Sequence, residues 1–229
     1  MCNFPNIQYD DRFQPLANRI GLPKSPQAMY TLLKNNGFVQ LNFLENLNVH
    51  NMTDLENKIF EKISHYGGTD HELKEIFCLI HIWGGNSGRN VFIKNPDPDL
   101  REIIPHYRNL VNSCLKTVEP HDNNLNDALD AAQSYVNTIY DEILLFHNNV
   151  KGIGPSFLTK HTRFWLTKNN PRNPLPIYDS TFAVHIMQQN PRYNAQFRHI
   201  IPFWNCMINK AREEHISLLS LERQLFNFF

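Results

Sequence analysis

Apolar residues recur along this chain at three- and four-residue intervals, and the runs are closed by glycine or proline. Met29, Leu32 and Leu33 follow Ser25-Pro26, which reads as a cap and first turn, with Gly37 as the stop. Thr53-Asp54-Leu55-Glu56 reads as a capping box ahead of Ile59, Phe60 and Ile63, and Gly67-Gly68 closes that helix. Asp70 is the expected cap of a helix carrying Leu73, Ile76, Phe77, Ile80 and Trp83, which Gly84-Gly85 ends. Asp97-Pro98 opens a further helix that Pro105 must bend or split. A long helical pattern then runs from Leu125 to His147. Strand signals are confined to a short extended piece over Gly37–Leu44, so the fold class is mainly α.

Proline and asparagine punctuate the chain at 95–98, 120–124 and 169–176, which read as loops. The first 24 residues carry three prolines and are expected to form an irregular arm wrapped on the body. There is no internal repeat. With 229 residues, 41% of them hydrophobic and 12% aromatic, the chain can build one packed unit of two lobes. The expected division is an arm and first helix over 1–45, a helical lobe over 46–124 and a second lobe over 125–229.

Charge changes this picture. Lys plus Arg and Asp plus Glu both number 22, so the chain is neutral as a whole. The distribution is uneven. From 143 to 212 the chain carries Lys151, Lys160, Arg163, Lys168, Arg172, Arg192, Arg198, Lys210 and Arg212, and one acid, Asp179. A surface meant for a polyanion excludes acids, because each repels phosphate. An acid retained there needs its own explanation, and the one adopted is catalytic.

Cys2, Cys78, Cys114 and Cys206 form no close pair, which argues against a zinc site, an iron–sulfur cluster and a disulfide framework. Reduced thiols in a cytoplasmic setting are expected. No signal-peptide pattern and no membrane-length apolar run is present, so no membrane partner is expected. The histidines show no HxxxH or HExxH spacing, and no metal or cofactor is expected.

The stretch Leu144–Leu166 reads as a helix ending near Asn149, a turn Val150-Lys151-Gly152-Ile153-Gly154, and a second helix started by Pro155. Two glycines around one apolar residue permit a tight turn with positive φ and close backbone approach. Ile153 can tuck between the helices. The turn's N–H groups and the second helix's N-terminus are then placed to hold a phosphate, with Lys151 beside them.

This hairpin, followed by Leu175-Pro176-Ile177-Tyr178-Asp179-Ser180, resembles the helix-hairpin-helix superfamily of DNA glycosylases, which includes endonuclease III, the adenine glycosylases and the 8-oxoguanine glycosylases. It is most similar to bacterial 8-oxoguanine-glycosylase-like proteins, and the resemblance is best from about Leu125 to Phe229. It implies a two-lobed helical fold with a DNA-binding cleft, acting as a monomer on double-stranded DNA with a flipped, damaged or modified base. It implies that Asp179 is the catalytic acid and that Lys160 is the candidate nucleophile of the lyase members. Lys160 departs from the pattern of the best-known members, whose lysine directly follows the turn, where this chain has Ser156. Two routes therefore stay open: a Schiff base through Lys160, or water as nucleophile with Asp179. The iron–sulfur cysteines of endonuclease III-like members are missing here.

Breaking a base–sugar bond builds positive charge at the anomeric carbon, which a carboxylate stabilises. A neutral Lys160 would attack that carbon, and Lys151, Arg163 and partial burial would lower its pKa. The expected DNA contacts are Lys151, Gly152, Ile153, Gly154, Ser156 and Arg163. A second constellation, the Gly-rich loop Gly84–Asn90, offers Asn86 to fill the gap left by a flipped base and Arg89 to hold a phosphate or the orphaned base. Phe182, His185, Phe203, Trp204, Phe226, Phe228 and Phe229 are candidates for the base pocket. The rival readings are a non-enzymatic helix-hairpin-helix DNA-binding module, a phage-defence glycosylase acting on hypermodified bases, and a helical protein–protein adaptor.

Overall fold

The structure, a computed structural model, describes residues 2–10, 21–117, 124–190 and 195–228. Among them the regular structure is helical, with no strand: α1 Lys24–Asn35, α2 Phe43–Asn46, α3 Met52–Ser64, α4 Asp70–Gly84, α5 Asn90–Lys94, α6 Ile104–Leu115, α7 Leu125–Asn149, α8 Pro155–Leu166, α9 Ser180–His185, α10 Ile200–Glu214 and α11 Leu218–Phe228. The expected extended piece over Gly37–Leu44 is instead a turn leading into α2. No helix of the described residues is long and apolar enough to cross a membrane. The expected loop residues 120–123 lie outside the described residues, as do Arg192 and Phe229.

Several helix starts differ from the sequence expectation by one or two residues. The cap of α1 is Pro23, and Ser25 sits inside the helix, where its hydroxyl accepts from the Asn86 amide at 2.9 Å. The cap of α3 is Asn51, which accepts from Asp54 N, while the Asp54 carboxylate accepts from His50 N. In α4 the cap is Thr69, which forms a reciprocal capping box with Glu72. In α3 and α4 the shift lets a side-chain acceptor reach an orphan amide of the first turn. Pro105 neither bends nor splits a helix: it lies in the first turn of α6, where its missing N–H costs nothing.

The chain divides into two compact units, and the boundaries are not those of chain order. One comprises residues 17–110 and 145–153, the other residues 1–16, 111–144 and 154–229. The division passes through α6 and α7, and 145–153, the end of α7 with the turn, is grouped with 17–110.

The unit of residues 17–110 and 145–153 is centred on α4, whose residues Ile76–Ile82 are all buried. A helix apolar on every side must be surrounded, and α1 and α3 pack on it. Phe77, Phe92, Tyr107 and Phe146 stack edge to face, with ring centroids 5.0–6.1 Å apart.

The other unit is centred on α8, in which every residue from Phe157 to Leu166 is buried. α7 contributes Leu129, Val136, Ile139 and Ile143 at helical spacing, and α10 contributes Phe203, Trp204, Met207 and Ile208. Fully burying one such side chain stabilises by about 1.5–3 kcal/mol. The loop after α8 is tied down by its asparagines: Asn169 donates to Leu115 O, Asn170 to Thr117 Oγ1, and Asn173 accepts from Leu218 N.

The N-terminal arm belongs to this unit. Its described part, residues 2–10, is irregular and docks through Asn3 N to Ile186 O and a two-way pairing of the Asp10 backbone with the Gln224 amide. Cys2 and Cys206 form a disulfide, with Cα atoms 6.3 Å apart. This corrects the expectation of four reduced thiols. Sequence spacing carried no signal because the arm's docking on α10 closes a separation of 204 residues. Cys78 and Cys114 are free and buried.

Candidate functional site

The polar residues of α8 are its anomaly. Thr159, Lys160, His161, Thr162 and Arg163 lie consecutively on a buried helix. Buried polar groups must find partners, and buried charges seldom occur unpaired. Lys160, 8% exposed, donates from Nζ to Ser156 Oγ at 2.7 Å, one turn earlier on the same helix. Nζ also lies 5.0 Å from the centre of the Phe157 ring. No carboxylate lies within ion-pair distance of it among the described residues. Burial pushes the Lys160 pKa down, and the more distant fields of Asp179 and then Glu222 oppose that shift without cancelling it. His161, fully buried, is held neutral, its pKa pushed down to about 3 by burial and by the adjacent Lys160.

Asp179 caps α9. Its Oδ1 accepts from Thr181 N at 2.9 Å and from Phe182 N at 3.2 Å. Its Oδ2 has no hydrogen-bond partner among the described residues, and the side chain is half-exposed. One oxygen therefore fixes the carboxylate at the helix N-terminus.

The segment that leads to Asp179 is held by side chains from three helices. Trp204 Nε1 of α10 donates to Pro176 O at 2.8 Å. The Ile177 amide donates to Glu222 Oε1 of α11 at 2.5 Å. The Tyr178 amide donates to Thr159 Oγ1 of α8 at 3.0 Å. An extended strip with no neighbouring strand must satisfy its backbone in this way. Sequence reading missed Thr159 and Glu222, and it offered Trp204 for the base pocket, whereas Trp204 holds the Pro176 carbonyl. The available signal was a Thr and a Glu on the buried stripes of two apolar helices.

Arg163 is a correction. It is 3% exposed, and its Nε donates to Glu222 Oε2 at 3.2 Å, so its guanidinium is committed inside the unit and does not face phosphate. The acid-free stretch is also not acid-free in space. Lys210 pairs with Glu214 and Arg212 with Asp130. Phe182, Phe203 and Trp204 are fully buried and form core behind Asp179, with Phe182 packed on Phe203 and on the partly exposed Phe226. Phe228 and His185 are exposed.

In the other unit the turn after α7 has the expected form, with one difference. Gly152 has φ +88°, and a Cβ there would meet Asn90 O at 2.5 Å. Gly154 is extended, caps α8 and has open space where a Cβ would stand. Only the first glycine is therefore demanded by conformation. Ile153 is buried and its carbonyl accepts from His147 Nδ1, while Lys151 is exposed. Asn95 Nδ2 donates to both Val91 O and Lys151 O, locking the turn to α5. Arg89 and Asn86 precede α5, with Arg89 exposed and Asn86 half-buried. Residues 86–95, which hold no acid, thus sit beside the turn within one unit.

Among the described residues no group of three His, Cys, Asp or Glu is placed to hold a metal ion. A cavity of about 270 Å³ is bounded by Phe38, Phe43, His71 and Lys74. Comparison with known protein families, curated proteins and solved structures finds no match.

Proposed function

We propose that the chain is a DNA glycosylase of the helix-hairpin-helix kind, cleaving the bond between a damaged or modified base and its sugar. The observation that carries this reading is Lys160: a buried amine that donates to Ser156 and meets no carboxylate at ion-pair distance among the described residues, with its pKa pushed down by burial. A neutral amine is a nucleophile and an ammonium is not. It attacks the anomeric carbon as the base leaves, the carbon–nitrogen glycosidic bond breaking with its electron pair going to the base; the amine loses a proton, and its nitrogen lone pair then expels the ring oxygen, which takes up a proton, to give the ring-opened Schiff base. Asp179 Oδ2 steadies the positive sugar and is the acceptor for that proton. Strand cleavage by elimination follows from the Schiff base. The turn at Gly152, with Lys151 and Arg89, supplies phosphate contacts in its own unit.

One observation favours a second reading. Asp179 does structural work as a helix cap, which a non-catalytic DNA-binding module also requires. A phage-defence enzyme would share the chemistry and differ in the base accepted.

The test is incubation with duplexes containing 8-oxoguanine, uracil, alkylated purines or modified cytosines, followed by alkali or borohydride. Base release is expected from at least one duplex and is lost in Asp179→Asn. A borohydride-trapped covalent complex is expected and is absent in Lys160→Gln. Trapping by Lys160→Gln would remove the amine from the mechanism, and full excision by Asp179→Asn would leave the DNA-binding module as the reading.

A further inference from the structure

We propose that Glu222 is the positioning residue of this site, its one carboxylate joining the helix that carries Lys160 to the segment that carries Asp179. The proposal rests on the glycosylase reading for the meaning of those two residues. Its geometry does not. Glu222 is 2% exposed on α11. Oε2 accepts from Arg163 Nε at 3.2 Å, and Arg163 lies three residues beyond Lys160 on the same helix face. Oε1 accepts from Ile177 N at 2.5 Å, two residues before Asp179. A carboxylate has two oxygens with geometry for two donors, and here both directions are used. Neither α8 nor the Pro176–Asp179 strip can move against the other without breaking a buried, charge-assisted hydrogen bond. Thr159 makes a second hydrogen-bonded tie between the two elements, through Tyr178.

Glu222 also acts on Lys160 through its charge. The charged groups around that amine are Asp179 on the strip, Glu222 on α11, and Arg163 on its own helix, with neutral His161 adjacent. Both carboxylates favour the ammonium and work against burial. Position and charge can therefore be separated by two substitutions. Glu222→Asp keeps the charge and shortens the reach. Glu222→Gln keeps an oxygen for Ile177 N and removes the charge.

Two readouts are taken. Lysines are reductively methylated with ¹³C-formaldehyde, the Lys160 resonance is assigned by its loss in Lys160→Gln, and its titration is followed by NMR. Single-turnover excision and borohydride trapping are measured against pH on the duplex that the wild-type protein cleaves. Glu222→Asp is expected to lose about tenfold or more in excision and trapping, as misplacement of a reacting group does, with the Lys160 midpoint nearly unchanged. Glu222→Gln is expected to move that midpoint, and the acid limb of trapping, to lower pH. Wild-type trapping by Glu222→Asp, or an unmoved midpoint in Glu222→Gln, overturns the proposal. If the wild-type protein excises nothing, the glycosylase reading fails while the NMR midpoints still decide the coupling. A variant-free measurement covers failure to fold: amide exchange in the wild-type protein. Protection at Ile177 comparable to the core of α8 supports the bridge, and exchange at the rate of an exposed amide overturns it.

Discussion

Thr159 and Tyr178 meet across the interior of one unit: the Tyr178 amide donates to Thr159 Oγ1 at 3.0 Å. The residues next to them are Lys160 and Asp179. The contact therefore sets the spacing between the two candidate reactive groups, although neither partner is reactive.

Replacing Thr159 by Val keeps the shape and removes the acceptor, which leaves a buried amide unsatisfied. Unfolding free energy is expected to fall by about 1–3 kcal/mol. Excision is expected to fall on the order of 10-fold to 100-fold, because the carboxylate shifts relative to the amine. Thr159→Ser restores the acceptor and most of both losses. Chemical denaturation and single-turnover assays check this. Unchanged excision in Thr159→Val would detach the contact from function.

The two turn glycines should respond differently to the same change. Gly152→Ala places a methyl group against the Asn90 backbone at a φ of +88° and is expected to cost about 2–4 kcal/mol. Gly154→Ala meets open space in an extended conformation and is expected to cost less than about 1 kcal/mol, the loss of a permissive cap. Thermal melts of the two variants, with duplex binding measured alongside, report the difference. Duplex binding should weaken in Gly152→Ala and hold in Gly154→Ala.

Acid sensitivity has an assigned source. His161 titrates at about 3 when folded, against 6.5 in an ordinary setting. Between those values the unfolded chain binds the proton and the folded protein does not, so stability falls as pH drops from 6.5 toward 3. The slope from this residue approaches about 1.4 kcal/mol per pH unit within the window. Lys160 has the same sign in a more alkaline window, where stability rises with pH up to the ordinary lysine value. Denaturation midpoints measured across pH 4–7 should be flatter in His161→Leu than in the wild-type protein.

The Cys2–Cys206 bond ties the arm to α10. Cys2→Ser is expected to lower stability by about 2–4 kcal/mol, and a reducing agent should have a comparable effect on the wild-type protein and none on the variant. Alkylation of the unfolded protein should find only Cys78 and Cys114 without reductant, and all four cysteines after reduction. Four alkylated thiols before reduction would remove the tether.

What sequence alone decided here is local. The helical class, the long α7, the turn from Val150 to Gly154 and the start of α8 at Pro155 follow from hydrophobic period, glycine and proline, which act within a few residues of themselves. Asp179 stood out by its charge context, and Lys160 came from the resemblance of the hairpin to the lyase pattern. Tertiary structure decided everything that depends on distance between remote residues. It turned Arg163 inward onto Glu222, paired Arg212 with Asp130, seated Gly152 on Asn90, and joined Cys2 to Cys206. It also buried Lys160 with no carboxylate at ion-pair distance among the described residues. Periodicity reports which face of a helix is buried. It carries no information about which distant side chain meets that face, because packing selects partners by shape and charge in three dimensions.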